Sequence, residues 1–138
     1  MKTKAIHNIK AAEALIDKAE EGYYTASIHH VYYAVFQYMK YELAHTDLES
    51  LSYEEQTVKA KEYRMGSHDF IIKEIRRRIG RLANLDTAKD FARDVRELKG
   101  DRIDADYRSR QFTLEESLAC KRLAEELITK LKTYFGDL

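Results

Sequence analysis

GYYTASIHHVYYAVFQYMKYEL, residues Gly22–Leu43, is the stretch on which the fold turns. It carries six of the ten tyrosines, contains no proline, and after Gly22 has no further glycine. At 100° per residue, Tyr24, Ile28, Val31, Tyr32, Val35, Phe36, Met39 and Leu43 fall on one broad face. His30, Tyr33, Gln37 and Tyr41 gather on the opposite face. A surface helix normally sets a plain charged side against its apolar one. This stretch instead shows aromatic and neutral polar groups on its second face. It is therefore expected to be the central helix of a bundle, covered on both sides, with the mixed face toward a cleft or a second subunit.

Working outward toward the N-terminus, Ala5, Ile9, Ala12, Ile16 and Ala19 recur at helical spacing and predict a first helix from about Thr3 to Glu21. Its small residues allow close approach to the central helix, and Gly22 is expected to break or bend the chain between the two. Beyond Leu43, His45, Thr46 and Asp47 weaken the helix. In the segment Thr46–Met65, Ser52 with Glu55 forms an S-x-x-E capping box, which predicts a short helix over Tyr53–Tyr63. That segment has few large aliphatic residues and many charges, so it is the expected mobile flap.

Gly66-Ser67 reads as a stop followed by an N-cap, opening a helix to about Arg81. His68 and Asp69 lie in its first turn, and its apolar residues are Phe70, Ile71, Ile72, Ile75 and Ile79. Arg76, Arg77, Arg78 and Arg81 follow toward the C-terminal end, where the helix dipole favours cations. This run reads as a solvated face or a set of phosphate contacts. Asp86 or Thr87 can cap the next helix, carried to about Ser109, with a stripe of Ala88, Phe91, Val95, Leu98, Arg102 and Ala105. Arg102 stands where the period asks for an aliphatic residue, and Asp106, one turn later, can pair with it. Thr113 with Glu116 forms another capping box, opening a last helix to about Phe135 through Cys120, Leu123, Ala124, Leu127, Ile128, Leu131 and Tyr134. No stretch alternates as a strand does. The expectation is all-α: an up-and-down antiparallel bundle of four to five helices forming a single domain over residues 1–138, with Val35, Met39, Val95, Leu98, Leu127 and Leu131 in its core.

Composition bounds the function. The chain has 138 residues, 44% of them hydrophobic and 35% charged, which suits a soluble helical protein. Lys+Arg and Asp+Glu both number 24, which argues against a strongly basic nucleic-acid sleeve. Four of the five glycines, Gly22, Gly66, Gly80 and Gly100, interrupt the apolar pattern and read as helix ends. The single cysteine, Cys120, excludes an internal disulfide and a cysteine-built zinc site, and its place in an apolar stripe marks a buried structural thiol. No apolar run approaches the roughly 20 residues of a membrane span, and MKTKAIHNIK lacks the apolar core of a signal peptide. A cytoplasmic location away from membranes is expected.

Few constellations could carry chemistry. His29 and His30 point about 100° apart on a helix and cannot chelate one metal as His-x-x-x-His would. There is no H-E-x-x-H and no paired Glu-x-x-His, so neither a metal nor any other cofactor is expected. Arg102 and Asp106 read either as an ion pair tying helices together or as part of a polar cleft with His30, Tyr33 and His68. Arg64 and His68 have an R-x-x-x-H spacing that could serve a phosphate, or are simply a loop arginine and a first-turn histidine.

Taken together, Gly22, Tyr24 and Ala26 or Ser27; Tyr32, Tyr33, Ala34 and Phe36; Gly66, Ser67 and His68; Arg102, Ala105, Asp106 and Tyr107; and the long closing helix after a capping box follow a recognisable order. Over nearly its whole length the chain resembles the HEPN domains (higher eukaryotes and prokaryotes nucleotide-binding), of the small stand-alone prokaryotic kind. The resemblance implies a helical bundle that commonly forms a homodimer. It implies a nucleotide or RNA as ligand, and a minimal nucleotidyltransferase as partner in toxin–antitoxin-like pairs. Many relatives are metal-independent RNases in which an R-x4–6-H motif from each subunit meets in a dimer cleft. No arginine of this chain precedes a histidine at that spacing, and His30 stands where relatives often carry arginine. The expected function is thus a dimeric nucleotide-, RNA- or partner-binding module, with an endoribonuclease or a purely structural bundle as the alternatives. The candidate site is His30, Tyr33, His68, Arg102, Asp106 and Tyr107.

Overall fold

The computed structural model describes residues 1–136, and these form six helices: α1 (Lys2–Asp17), α2 (Glu21–His45), α3 (Tyr53–Glu62), α4 (Ser67–Leu82), α5 (Leu85–Tyr107) and α6 (Leu114–Phe135). There are no strands among the described residues. The count passes four to five because the short capping-box segment does form a helix. The connections between α1 and α2 and between α4 and α5 are only two or three residues long, which makes each pair antiparallel neighbours.

α2 is the axis of the bundle and touches all five other helices. From Ser27 to Ala44 none of its residues is exposed, so both of its faces are covered. Ala5 and Ala12 of α1 are fully buried, which lets α1 lie close on α2. Val35, Met39, Val95, Leu98, Leu127 and Leu131 are all fully buried, as the helical periodicity requires.

Several boundaries depart from the sequence reading for identifiable reasons. α1 stops at Asp17 because Ala19 takes a left-handed conformation (φ 55°). Gly22 does not break the chain; it sits in the first turn of α2, behind Glu20 as N-cap. Gly80 and Gly100 likewise lie inside α4 and α5; of these four glycines Gly66 alone borders a helix, as the N-cap of α4. The cap of α5 is Asn84, whose side chain accepts from the Thr87 N–H at 2.8 Å, not Asp86 or Thr87.

The segment expected to be a loose flap is pinned. Gln56 is buried and donates from Nε2 to the carbonyls of Lys40 (3.0 Å) and Leu51 (2.9 Å). Arg78, placed in a solvated run by its neighbours, is only 4% exposed. Its guanidinium donates to the carbonyls of Leu48 (3.1 Å) and Glu49 (2.6 Å) and to Glu74 (3.0 Å). Charge-assisted bonds of this kind hold the segment leading into α3 where aliphatic burial is thin. Cys120 is buried against Asp101, and burial pushes its thiol up to about 12, so it has no thiolate to offer near neutral pH.

Candidate functional site

The middle of α2, the first turn of α4 and the last turns of α5 converge on one aromatic and ionic cluster. Three tethers fix these elements. Lys99 of α5 donates to Asp69 in the first turn of α4 at 2.9 Å, beside His68. The turn before α4 runs through Arg64 in a left-handed conformation (φ 53°), with Met65 N–H bonding Ala60 O at 2.9 Å. After α5, the Phe112 N–H donates to Thr25 Oγ1 of α2 at 2.9 Å, which ties down the loop that follows Tyr107. Arg110, over the Phe112 ring at 4.0 Å, pairs with Asp101, Asp104 and Glu116 and closes the same loop.

Arg102 is the centre of the cluster. It is 7% exposed, and its guanidinium lies 5.3, 5.5 and 5.8 Å from the ring centres of Tyr32, Tyr33 and Tyr107. Its ionic partner is Asp106, one turn on, at 3.6 Å. That same Asp106 oxygen is engaged more closely by His29 Nδ1, at 2.8 Å. The Nε of Arg102 is buried and has no hydrogen-bond partner among the described residues. Aromatic faces hold a guanidinium by its charge without using its N–H groups, so a buried cation is left with donors to spare.

His68 is held differently. Its ring stacks on Phe36 at 4.0 Å and 6°, and its Nδ1 meets the Tyr32 hydroxyl at 2.7 Å. Burial, then the charges of Arg102 and Lys99, lower its pKa to about 4, so the ring is neutral near pH 7. Burial likewise drives the Tyr32 phenol well above its ordinary range, which keeps its proton available to His68. Tyr33 lies between the two groups, edge-on to His68 at 5.7 Å and tilted against His29 at 4.7 Å.

Of the six residues singled out in the sequence, Tyr33, His68, Arg102, Asp106 and Tyr107 share this cluster. His30 turns toward α1, where its Nδ1 meets Asn8 Oδ1 at 2.8 Å, and Asn8 in turn donates to Gln37 at 2.9 Å. The mixed face of α2 is therefore partly consumed by a polar seam with α1. Burial and the neighbouring His29 lower the pKa of His30. Arg64 is exposed in its turn and takes no part.

His29, Tyr32 and Phe36 belong to the cluster and were not singled out. The helical i, i+4 spacing of His29 with Tyr33 and of Tyr32 with Phe36 was the available signal. Among the described residues no three His, Cys, Asp or Glu side chains gather as a metal ion requires. No helix among them is long and apolar enough to cross a membrane. Neither Arg102 nor His68 lines the grooves beside α3 and α4, between α1 and α6, or where the start of the α2–α3 connection meets the end of α6. Within the cluster Tyr107 is 75% exposed while Arg102 is buried.

The described residues form an all-α bundle built around the aromatic α2, with the Arg102–Asp106 pair of α5 set against its tyrosines. The family model of the HEPN domain matches residues 1–134, nearly the whole chain, and the chain belongs to that family. No curated protein and no solved structure matches it.

Proposed function

We propose that this HEPN domain is a binding module that receives a phosphate of a nucleotide or RNA at Arg102. The observation that carries this reading is the unsatisfied guanidinium: a buried arginine whose Nε has no partner, clasped by three tyrosine rings. Leaving a buried donor unpaired is unfavourable, and a phosphate oxygen supplies the missing acceptor. Tyr107, 75% exposed, and Tyr33 beside it offer ring faces on which a base can stack. HEPN domains are generally RNA-binding or RNase-like, and this use of the cluster fits that character. HEPN domains often dimerise, and the working unit of this proposal is a homodimer. A nucleotidyltransferase as partner in a toxin–antitoxin-like pair, and a cytoplasmic setting, complete the proposal.

An endoribonuclease is the less favoured reading. The R-x4–6-H spacing is absent, and the Nδ1 of His68 is occupied by Tyr32 while its ring is stacked on Phe36. Titration of the protein with labelled nucleotides and short RNAs, by fluorescence anisotropy without metal, tests the module. Saturable binding that Arg102→Met weakens about tenfold or more, with intact RNA recovered afterwards, is the expected result. Cleavage of the RNA would favour the enzyme, and no binding of any probe would sink both.

A further inference from the structure

The face of α4 opposite His68 carries a second feature that the arginine cluster does not use. A groove of about 620 Å³ runs between the end of α3, α4 and the start of α5. His68 and Arg77 are nine residues apart, half a turn out of phase, so the two features lie on opposite sides of the same helix. The floor is apolar, formed by Met65, Phe70 and Ala88, and its two lips are Tyr63 (63% exposed) and Leu85 (71% exposed). Gly80 opens the space. It has no left-handed conformation to explain it, and a Cβ there would stand 3.4 Å from Leu85 Cδ2 and 3.8 Å from the Ala88 Cβ.

The rim is basic on a chain of zero net charge. Lys73, Arg76, Arg77 and Arg81 line the groove against one acid, Glu74. That acid is already shared by Arg77 (2.6 Å) and by Arg78 behind it (3.0 Å). Glu49, outside the groove, is shared by Arg77 (3.2 Å) and Arg81 (3.0 Å). Lys73 and Arg76 therefore face the groove with no carboxylate to spare for them.

We propose that this groove docks an acidic amphipathic helix of a partner protein, with its apolar residues on the Met65–Phe70–Ala88 floor and its carboxylates against Lys73 and Arg76. The groove is walled by helices and by the turn after α3, with no strand among them, so it has no sheet edge to which a strand can add. Recognition must then run through side chains, which is how a helix laid in a groove is read. An apolar floor under a cationic rim selects acid on the flanks of an apolar stripe, and a nucleic acid would leave that floor uncovered.

The test is a titration of isotope-labelled protein with a synthetic peptide of about 16 residues, long enough to form a helix when bound. The peptide carries leucines at helical i, i+3, i+4 and i+7 spacing and glutamates elsewhere. A scrambled peptide of the same composition and a version with lysine for glutamate are the controls. The expected result is that amide signals of residues 63–65, 70–81 and 85–88 shift, with affinity falling about tenfold or more in the Lys73→Glu, Arg76→Glu double variant. Gly80→Leu plugs the groove without touching a charge and is expected to lose the same binding with helix content unchanged. If that variant fails to fold, the charge reversal alone decides. Equal binding of the scrambled or lysine peptide, shifts elsewhere, or no saturable binding overturns the proposal. So does displacement of the peptide by a short RNA at the same signals, or a self-association that Gly80→Leu abolishes. Arg102→Met should leave this binding unchanged, which separates the groove from the arginine cluster.

Discussion

Replacing Arg102 by methionine distinguishes a receptor from a structural pin, because the two roles predict opposite balances of stability and binding. What the fold loses can be added up. The ion pair with Asp106 spans 3.6 Å and the acid is 21% exposed, so it is worth roughly 0–1 kcal/mol. The three ring contacts at 5.3 to 5.8 Å contribute about 0.5–1 kcal/mol each. What the fold gains is relief from burying an Nε–H with no partner, about 1–3 kcal/mol. Methionine also fills similar volume, and such exchanges of a buried charge for an apolar side chain are often neutral or stabilising. Asp106 is not orphaned, since His29 still holds it at 2.8 Å. The net change should lie within about 3 kcal/mol of zero, a melting shift of no more than roughly 15 °C for a domain of this size. Binding of a phosphate, by contrast, should fall roughly 10- to 150-fold, the value of about 1.5–3 kcal/mol for hydrogen bonds to a charged group. Urea denaturation and nucleotide or RNA anisotropy on the same preparations measure both. A variant that loses more than about 4 kcal/mol, beside a wild type that binds neither probe, would show that Arg102 is a structural pin.

The remaining predictions concern the frame around that arginine. Leu127→Ala, at a fully buried position, should cost about 2–5 kcal/mol by denaturant unfolding. Thr25→Val strips the acceptor from the buried Phe112 N–H, at about 1–3 kcal/mol, and amide exchange in residues 108–113 should quicken; unchanged protection there would mean the loop is held elsewhere. His68 has a folded pKa of about 4 against an ordinary 6.5, so the unfolded chain takes up its proton first. The stability it allows is complete above pH 6.5 and is lost as pH falls toward 4, by on the order of 1–2 kcal/mol after solvent screening of the half-buried ring is discounted. His68→Gln should flatten that slope in unfolding measured from pH 7 to pH 5. Sedimentation at micromolar concentration should show a dimer, and a monomer at every concentration would remove the second copy from the proposal.

The fold was legible because its signal is redundant. The stripe of α2, the capping boxes at Ser52 and Thr113, and the buried run from Phe70 to Ile79 each indicate helix by an independent rule. The errors fell where a single residue was asked to decide. The sequence pattern marks Gly80 and Gly100 as ends, yet a helix interior tolerates glycine at a cost of about 1 kcal/mol when its neighbours pack well. Asn84 is not distinguished as the cap in the sequence, because Asp86 and Thr87 are also good capping residues and only the backbone path chooses among them. Arg78 shows the limit most clearly. Its neighbours Arg76 and Arg77 make it look solvated, and the carbonyls of Leu48 and Glu49 that bury it lie thirty and twenty-nine residues away.

The candidate site divides along the same line. Arg102 stood out because a cation interrupted an apolar period, and Asp106 followed from its spacing of one turn. Neither signal shows that the arginine's cage is aromatic, because Tyr32 and Tyr33 come from α2 and reach it only through tertiary packing. The two histidines of α2 were separable in principle by the 100° between them, but which of them faces α5 depends on where α1 lies. Asn8 settles it: by meeting His30 at 2.8 Å it takes that ring into the seam with α1 and leaves His29 to Asp106. The consequence is electrostatic. Asp106 spends its nearer bond on His29, so the guanidinium of Arg102 keeps its positive charge only loosely compensated and its Nε unpaired. An arginine bound tightly by its own carboxylate has little left for a ligand, whereas this one is held in place by rings and retains both charge and donors for an incoming anion.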